Sequence, residues 1–145
     1  MTIFTHLLVT TAVVQALNLE GSEIVLAYAF GVGVDFDHLI KFPLYHKKYK
    51  LKNQKHYNWR TPLQEPISLL WIIPLSIYLG TIVPIIFFIS HLVLDYSVDY
   101  SKTPFVPYSN FKTKGLLPNV SQKLKEGIVF ILFLCINLIL LLTKR

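Results

Sequence analysis

Cysteine is nearly missing from the chain: Cys135 is the only one in 145 residues. An intrachain disulfide and a thiolate zinc cage are therefore both excluded, and any metal must be held by oxygen and imidazole. Charge is scarce as well. Charged residues make up 15% of the chain against 53% hydrophobic ones, with a mean hydropathy of +0.51. That balance is too apolar for an ordinary water-soluble domain and points to lipid as solvent for much of the surface. Acidic residues are the scarcer sign, 8 against 14 basic, for a net charge of +6. An excess of that kind suits an acidic partner, either anionic lipid headgroups or nucleic acid. Gly31 and Gly33 lack the strand and third glycine of a phosphate-binding loop and read instead as sites of close helix approach. Ser90 stands in no G-x-S-x-G elbow, which argues against serine-nucleophile chemistry. No Lys or Arg precedes the apolar run at the amino terminus, so a cleaved signal peptide is not expected there. No internal repeat or low-complexity segment interrupts the chain, apart from the leucine bias of Leu138 to Leu142.

What is present is apolar and helical. Five stretches stand out, Ile3 to Leu17, Ile24 to Phe42, Ile67 to Leu79, Ile82 to Val98 and Gly127 to Thr143. The last approaches the ~20 apolar residues needed to cross a bilayer as a helix. Asn18 to Gly21 reads as a short turn, after which Ser22 and Glu23 form an amino-terminal capping signal for the second helix. Pro74, Gly80 and Pro84 break what would otherwise be one over-long helix, and a helical hairpin turning near Gly80 is expected. The resulting fold class is all-α: a single membrane-embedded domain over residues 1–145, a bundle of about five helices with a polar metal site expected near the cytoplasmic interface.

Two polar segments, Pro43 to Pro66 and Tyr100 to Glu126, hold nearly all the positive charge. The first carries Lys47, Lys48, Lys50, Lys52, Lys55 and Arg60, the second Lys102, Lys112, Lys114, Lys123 and Lys125. The short turns around Glu20 and Gly80 contain neither Lys nor Arg. By the positive-inside rule the basic segments face the cytoplasm in a multi-pass protein of the cell membrane; only Lys144 and Arg145 disagree.

Ionisable residues inside apolar helices are costly, and they mark function more often than the residues around them. His6 opens the first helix. Asp35, Asp37 and His38 lie near the end of the second, Glu65 immediately precedes the third, and His91, Asp95 and Asp99 occupy the end of the fourth. If the helices alternate in direction, all of these fall in one layer. His91, Asp95 and Asp99 are four apart and share a helical face, as do Asp35 and His38 at three apart. The side chains either satisfy one another by hydrogen bonds and ion pairs or surround a cation. Five acids and three histidines in one poorly hydrated layer carry more negative charge than Arg60 alone offsets, which favours the cation. Imidazole with carboxylate suits zinc, manganese or iron; zinc is preferred.

The order His6-Leu-Leu, Asp35-Phe-Asp37-His38, a loop with His56 and Arg60, and His91-Leu-Val-Leu-Asp95 followed by Thr103-Pro104 and Pro107-Tyr108-Ser109 resembles the YdjM-like family of membrane-bound metal-dependent hydrolases. That family is in turn distantly similar to zinc-dependent phospholipase C and the single-strand-specific nucleases. The likeness covers Thr5 to about Ser109. It implies His6, Asp35, His38, His91 and Asp95 as metal ligands, with Asp37 as a ligand or a partner to one, and it gives the loop residue His56 a place beside them. The family shows a loop element His-Arg-Gly-x-Thr-His-Ser, where this chain reads His56-Tyr-Asn-Trp-Arg60-Thr61-Pro-Leu-Gln-Glu65. The second histidine is absent, and Glu65 is expected in its place as an oxygen ligand or a base.

Arg60 clamps a phosphate through its planar fork of donors, or pairs with Glu65 or Asp37 inside the protein. His46, among lysines and beside Tyr45 and Tyr49, reads as a membrane-interface anchor. The Lys, Tyr and Trp interleaving from Tyr45 to Trp59 also fits a nucleic-acid surface, although the same composition is ordinary at a membrane. The expected function is a metal-dependent hydrolase of a phosphoester, lipid or nucleotide. Asp37 or Asp99 would orient ligands or take a proton, and Arg60 would hold the anion. The alternative is a non-catalytic protein that binds or transports metal or protons. Expected partners are membrane lipids and a phosphorylated or phosphodiester substrate, with nucleic acid less favoured and no obligatory protein partner evident.

Overall fold

The computed structural model of the chain describes residues 2–36, 62–98, 111, 113, 115, 116 and 119–143. Among them are five α-helices: α1 (Ile3–Leu17), α2 (Ser22–Gly31), α3 (Leu69–Leu79), α4 (Val83–Val98) and α5 (Gln122–Thr143). Single turns of 3-10 helix at Gly33–Phe36, Pro62–Gln64 and Pro66–Ser68 follow α2 and lead into α3. The described residues contain no β-strand, which agrees with the all-α expectation.

Backbone conformation at a few polar positions sets where the helices stop. Asn18 adopts left-handed angles, φ 52° and ψ 44°. Its N–H bonds the carbonyl of Gln15, and Leu19 N–H reaches back to Val14. Gly80, at φ 65°, ends α3 in the same way, with Gly80 N–H on Ile77 and Thr81 N–H on Ser76. Both are Schellman closures, in which a left-handed residue lets the last carbonyls find donors. Ser22 is not the cap expected of it. Gly21, at φ 54°, stands immediately before α2 and makes no side-chain capping bond, so the turn is made by backbone freedom and not by a hydroxyl. Pro74 does not stop α3, which continues through it for the loss of one backbone hydrogen bond. Pro84 sits in the first turn of α4, where its missing N–H has no helical partner to lose.

The two tight turns make α1 antiparallel to α2 and α3 antiparallel to α4, while α2 lies against α4 and α1 against α5. Ala27, Ile72, Phe87 and Phe88 are fully buried where the four shorter helices meet, with Val14, Phe30, Val83 and Leu92 around them. α5 runs parallel to α1. Glu126 Oε1 accepts from Thr2 N–H at 2.6 Å and from the Thr5 hydroxyl at 3.3 Å, and Asn137 Nδ2 donates to the Leu8 carbonyl at 2.9 Å. At the opposite end of the molecule the Thr81 hydroxyl donates to Glu23 at 3.2 Å.

Among the described residues one helix is long and apolar enough to cross a membrane. α5 has 22 residues, about 33 Å at 1.5 Å per residue. It has no buried residue. The other four helices have 15, 10, 11 and 16 residues, shorter than the ~17–25 residues of a spanning helix.

Candidate metal centre

Three elements far apart in sequence bring His6, Asp35 and His91 together, with one ligand atom from each lying within 4.8 Å of the others. His6 projects from the first turns of α1, and Asp35 from the 3-10 turn beyond α2. His91 and Asp95 project from one face of α4, as their four-residue spacing requires. His6 and His91 are 1% exposed and Asp95 4%. The two imidazoles stack, with centroids 4.1 Å apart and planes 18° from parallel, so their Nε2 atoms present themselves side by side to the carboxylates.

The separations have the size of a coordination shell. His6 Nε2 lies 3.2 Å from Asp95 Oδ1 and 3.8 Å from Asp35 Oδ2, while His91 Nε2 lies 3.6 Å from Asp35 Oδ1. Two ligands bound to one tetrahedral zinc at about 2.0–2.2 Å sit about 3.4 Å apart. Direct N–H···O bonds would be shorter, at about 2.7–3.2 Å, a range that only the His6–Asp95 contact reaches.

The backbone selects the tautomer of His91. Its Nδ1 is 3.1 Å from the carbonyl oxygen of Gly31. A carbonyl can only accept, so Nδ1 carries the proton and, in the neutral ring, Nε2 offers its lone pair toward Asp35. A metal-bound histidine is commonly held in this manner. Gly31 has a second reason to be glycine, because an added Cβ would lie 2.3 Å from Thr10 Oγ1 and 3.3 Å from Phe87 Cδ1. Close helix approach was expected of both Gly31 and Gly33. Only Gly31 requires it, since a Cβ on Gly33 meets nothing nearer than 3.6 Å. His6 differs from His91: its Nδ1 is buried without a hydrogen-bond partner among the described residues.

Of the other expected site residues, only Glu65 lies among the described ones. It is half-buried and accepts a hydrogen bond from the Tyr96 hydroxyl, and among the described residues the converging group is His6, Asp35 and His91. The residue before it, Gln64, reaches Asp35. Gln64 is fully buried and donates from Nε2 to Asp35 Oδ1 at 3.0 Å and to the Val34 carbonyl at 3.2 Å. Being neutral, it carries none of the charge that marks the other site residues in the sequence. Asp37, His38, His56, Arg60 and Asp99 lie outside the described residues.

The chemistry these residues support is that of a borderline cation: two imidazole nitrogens with one or two carboxylates and no thiolate, in a layer largely removed from water. No family model, no curated protein and no solved structure matches the chain.

Proposed function

We propose that the chain is a membrane-bound, metal-dependent hydrolase that cleaves a phosphoester, with the metal held by His6, Asp35, His91 and Asp95. The observation that carries this reading is the convergence of His6, Asp35 and His91 from three separate elements onto one point. Its motif order, which resembles that of the YdjM-like hydrolases, supports the same assignment. A divalent cation there, zinc by preference, would supply a water ionised near neutral pH and would polarise the phosphoester oxygen. The protein's own residues do the rest. The Gly31 carbonyl keeps His91 in the tautomer that ligates, Asp35 presents one oxygen to each imidazole, and Asp95 engages His6. His38 and His56 are proposed as further ligands and Glu65 as a ligand or base. Asp37 and Asp99 are proposed as proton acceptors, and Arg60 as the group that binds the anion.

Membrane residence rests on α5 and on the apolar residues the shorter helices leave exposed. Leu70, Ile77 and Tyr78 on α3 are 77%, 75% and 86% exposed, and Val25 on α2 is 69% exposed. Lipid is the natural cover for such surface. By the positive-inside rule the excess of Lys in the two basic segments favours a cytoplasmic site that takes an anionic, lipid-borne substrate. The alternative of a pathway for metal or protons is less well supported. The fully buried Phe87 and Phe88 lie among apolar neighbours in the core, and a pathway would need polar groups continuing toward the far turn.

The test is bound metal together with turnover. Purified full-length protein should carry near-stoichiometric zinc or a related ion and hydrolyse a phosphodiester in a chelator-sensitive way. His91→Ala and Asp95→Ala should lose both. Retention of full metal stoichiometry in both variants would end the assignment. Single cysteines introduced near Lys50 and near Gly80, in a Cys135→Ser background, should react with an impermeant reagent from opposite sides; labelling of both from one side would overturn the orientation.

A further inference from the structure

Asp35 does not stand on a long helix. It belongs to a 3-10 turn of four residues, Gly33–Phe36, and so short an element holds its side chains in place only through contacts with its neighbours. One such contact comes from Gln64, at the end of the 3-10 turn Pro62–Gln64. Its Nε2 lies 3.2 Å from the Val34 carbonyl and 3.0 Å from Asp35 Oδ1. A backbone carbonyl can only accept, so the side of the amide facing this turn must be its NH2 group. One side chain with no freedom to flip thus bonds both the backbone and the carboxylate of the ligand-bearing turn. Asp35 Oδ1 is thereby held where it also faces His91 Nε2 at 3.6 Å, and Oδ2 is left facing His6 Nε2 at 3.8 Å.

We infer that Gln64 is the positioning residue of the metal centre, holding Asp35 so that its two oxygens address the two imidazoles, while not itself ligating through the nitrogen it presents. The inference rests on the metal-centre reading above. Its chemistry calls for a donor at this position. A hydrophobic side chain of equal length would leave the Asp35 carboxylate without this restraint, and a shorter amide would not span both acceptors. Loss of a hydrogen-bonding partner to a metal ligand weakens metal binding by about 10–100-fold.

The experiment compares the detergent-solubilised full chain with Gln64→Met, which keeps length and removes the donor, and Gln64→Asn, which keeps the amide one methylene shorter. Ile72→Ala serves as a control for a fully buried residue of the apolar core. Zinc and cobalt alone are titrated into metal-free protein, and the visible absorption of the cobalt form is recorded. Gln64→Met is expected to bind zinc about 10–100-fold more weakly with an altered cobalt spectrum, Gln64→Asn to fall between it and the native protein, and Ile72→Ala to lose stability with the native affinity and spectrum. A merely structural Gln64 would behave like Ile72, and native affinity and spectrum in Gln64→Met would overturn the inference while leaving the centre intact. If Gln64→Met does not fold, Gln64→Asn carries the same comparison. Failure of the native protein to bind either metal would overturn the centre itself, and the role of Gln64 with it.

Discussion

Replacing Gly31 by alanine tests both the helix approach and the metal centre. The added Cβ would sit 2.3 Å from Thr10 Oγ1 and 3.2 Å from Thr10 Cγ2, the first more than ~1 Å inside the 3.5–4.0 Å of favourable contact. Thr10 is 2% exposed and has little room to swing away. Overpacking of this kind costs about 1–3 kcal/mol. The better helix propensity of alanine returns at most about 1 kcal/mol, less at the last residue of α2. A net destabilisation of about 1–2 kcal/mol follows from those two terms. The second effect is on binding. The added Cβ also meets Phe87 Cδ1 on α4 at 3.3 Å, so relief of both contacts by a shift of about 1 Å at the end of α2 would carry the Gly31 carbonyl out of its 3.1 Å contact with His91 Nδ1 on α4. Zinc affinity should then fall by about tenfold or more. Thr10→Ala removes both clashing atoms, so the Gly31→Ala/Thr10→Ala double variant should recover zinc affinity and show a favourable coupling of about 1–2 kcal/mol. Thermal denaturation of the metal-free protein and zinc titration of all four species make the assay. A Gly31→Ala protein as stable as the native one, with native zinc affinity, would refute the reasoning.

The remaining predictions separate strain and helix docking from site chemistry. Gly80→Ala has space around it but must hold φ 65°; it should destabilise by about 1–2 kcal/mol and leave zinc affinity unchanged in the same titration. Asn137→Leu removes the amide that donates to Leu8 and Phe133 and whose Oδ1 is buried without a partner. Its cost should stay below about 2 kcal/mol by denaturation, with metal content untouched as read by elemental analysis. Asp35→Asn, which keeps shape and removes charge, should bind zinc at least about 10-fold more weakly, and equal affinity would remove Asp35 from the centre.

The apolar runs, the turns at Asn18 and Gly80, and the gathering of His6, Asp35, His91 and Asp95 at one end were legible in the linear sequence. Each depends on local pattern: hydrophobic stretches between polar punctuation, and direction reversing at every tight turn. The length of the spans was less legible. The run from Ile24 suggested a helix through Phe42, whereas α2 ends at Gly31 and gives way to a 3-10 turn. Among the described helices only α5 has spanning length.

Tertiary structure alone brought Gln64 to Asp35. Gln64 and Glu65 are adjacent, yet one turns to Asp35 and the other to Tyr96, because a step of one residue near a 3-10 turn rotates a side chain by roughly 120°. It also decided that Gly31 and not Gly33 admits α1, and that Glu126 and Asn137 seat α5 on residues 124 and 129 positions away. Periodicity records which residues avoid water. It carries no information about the angle at which two distant elements meet, and side-chain chemistry within a site depends on that angle.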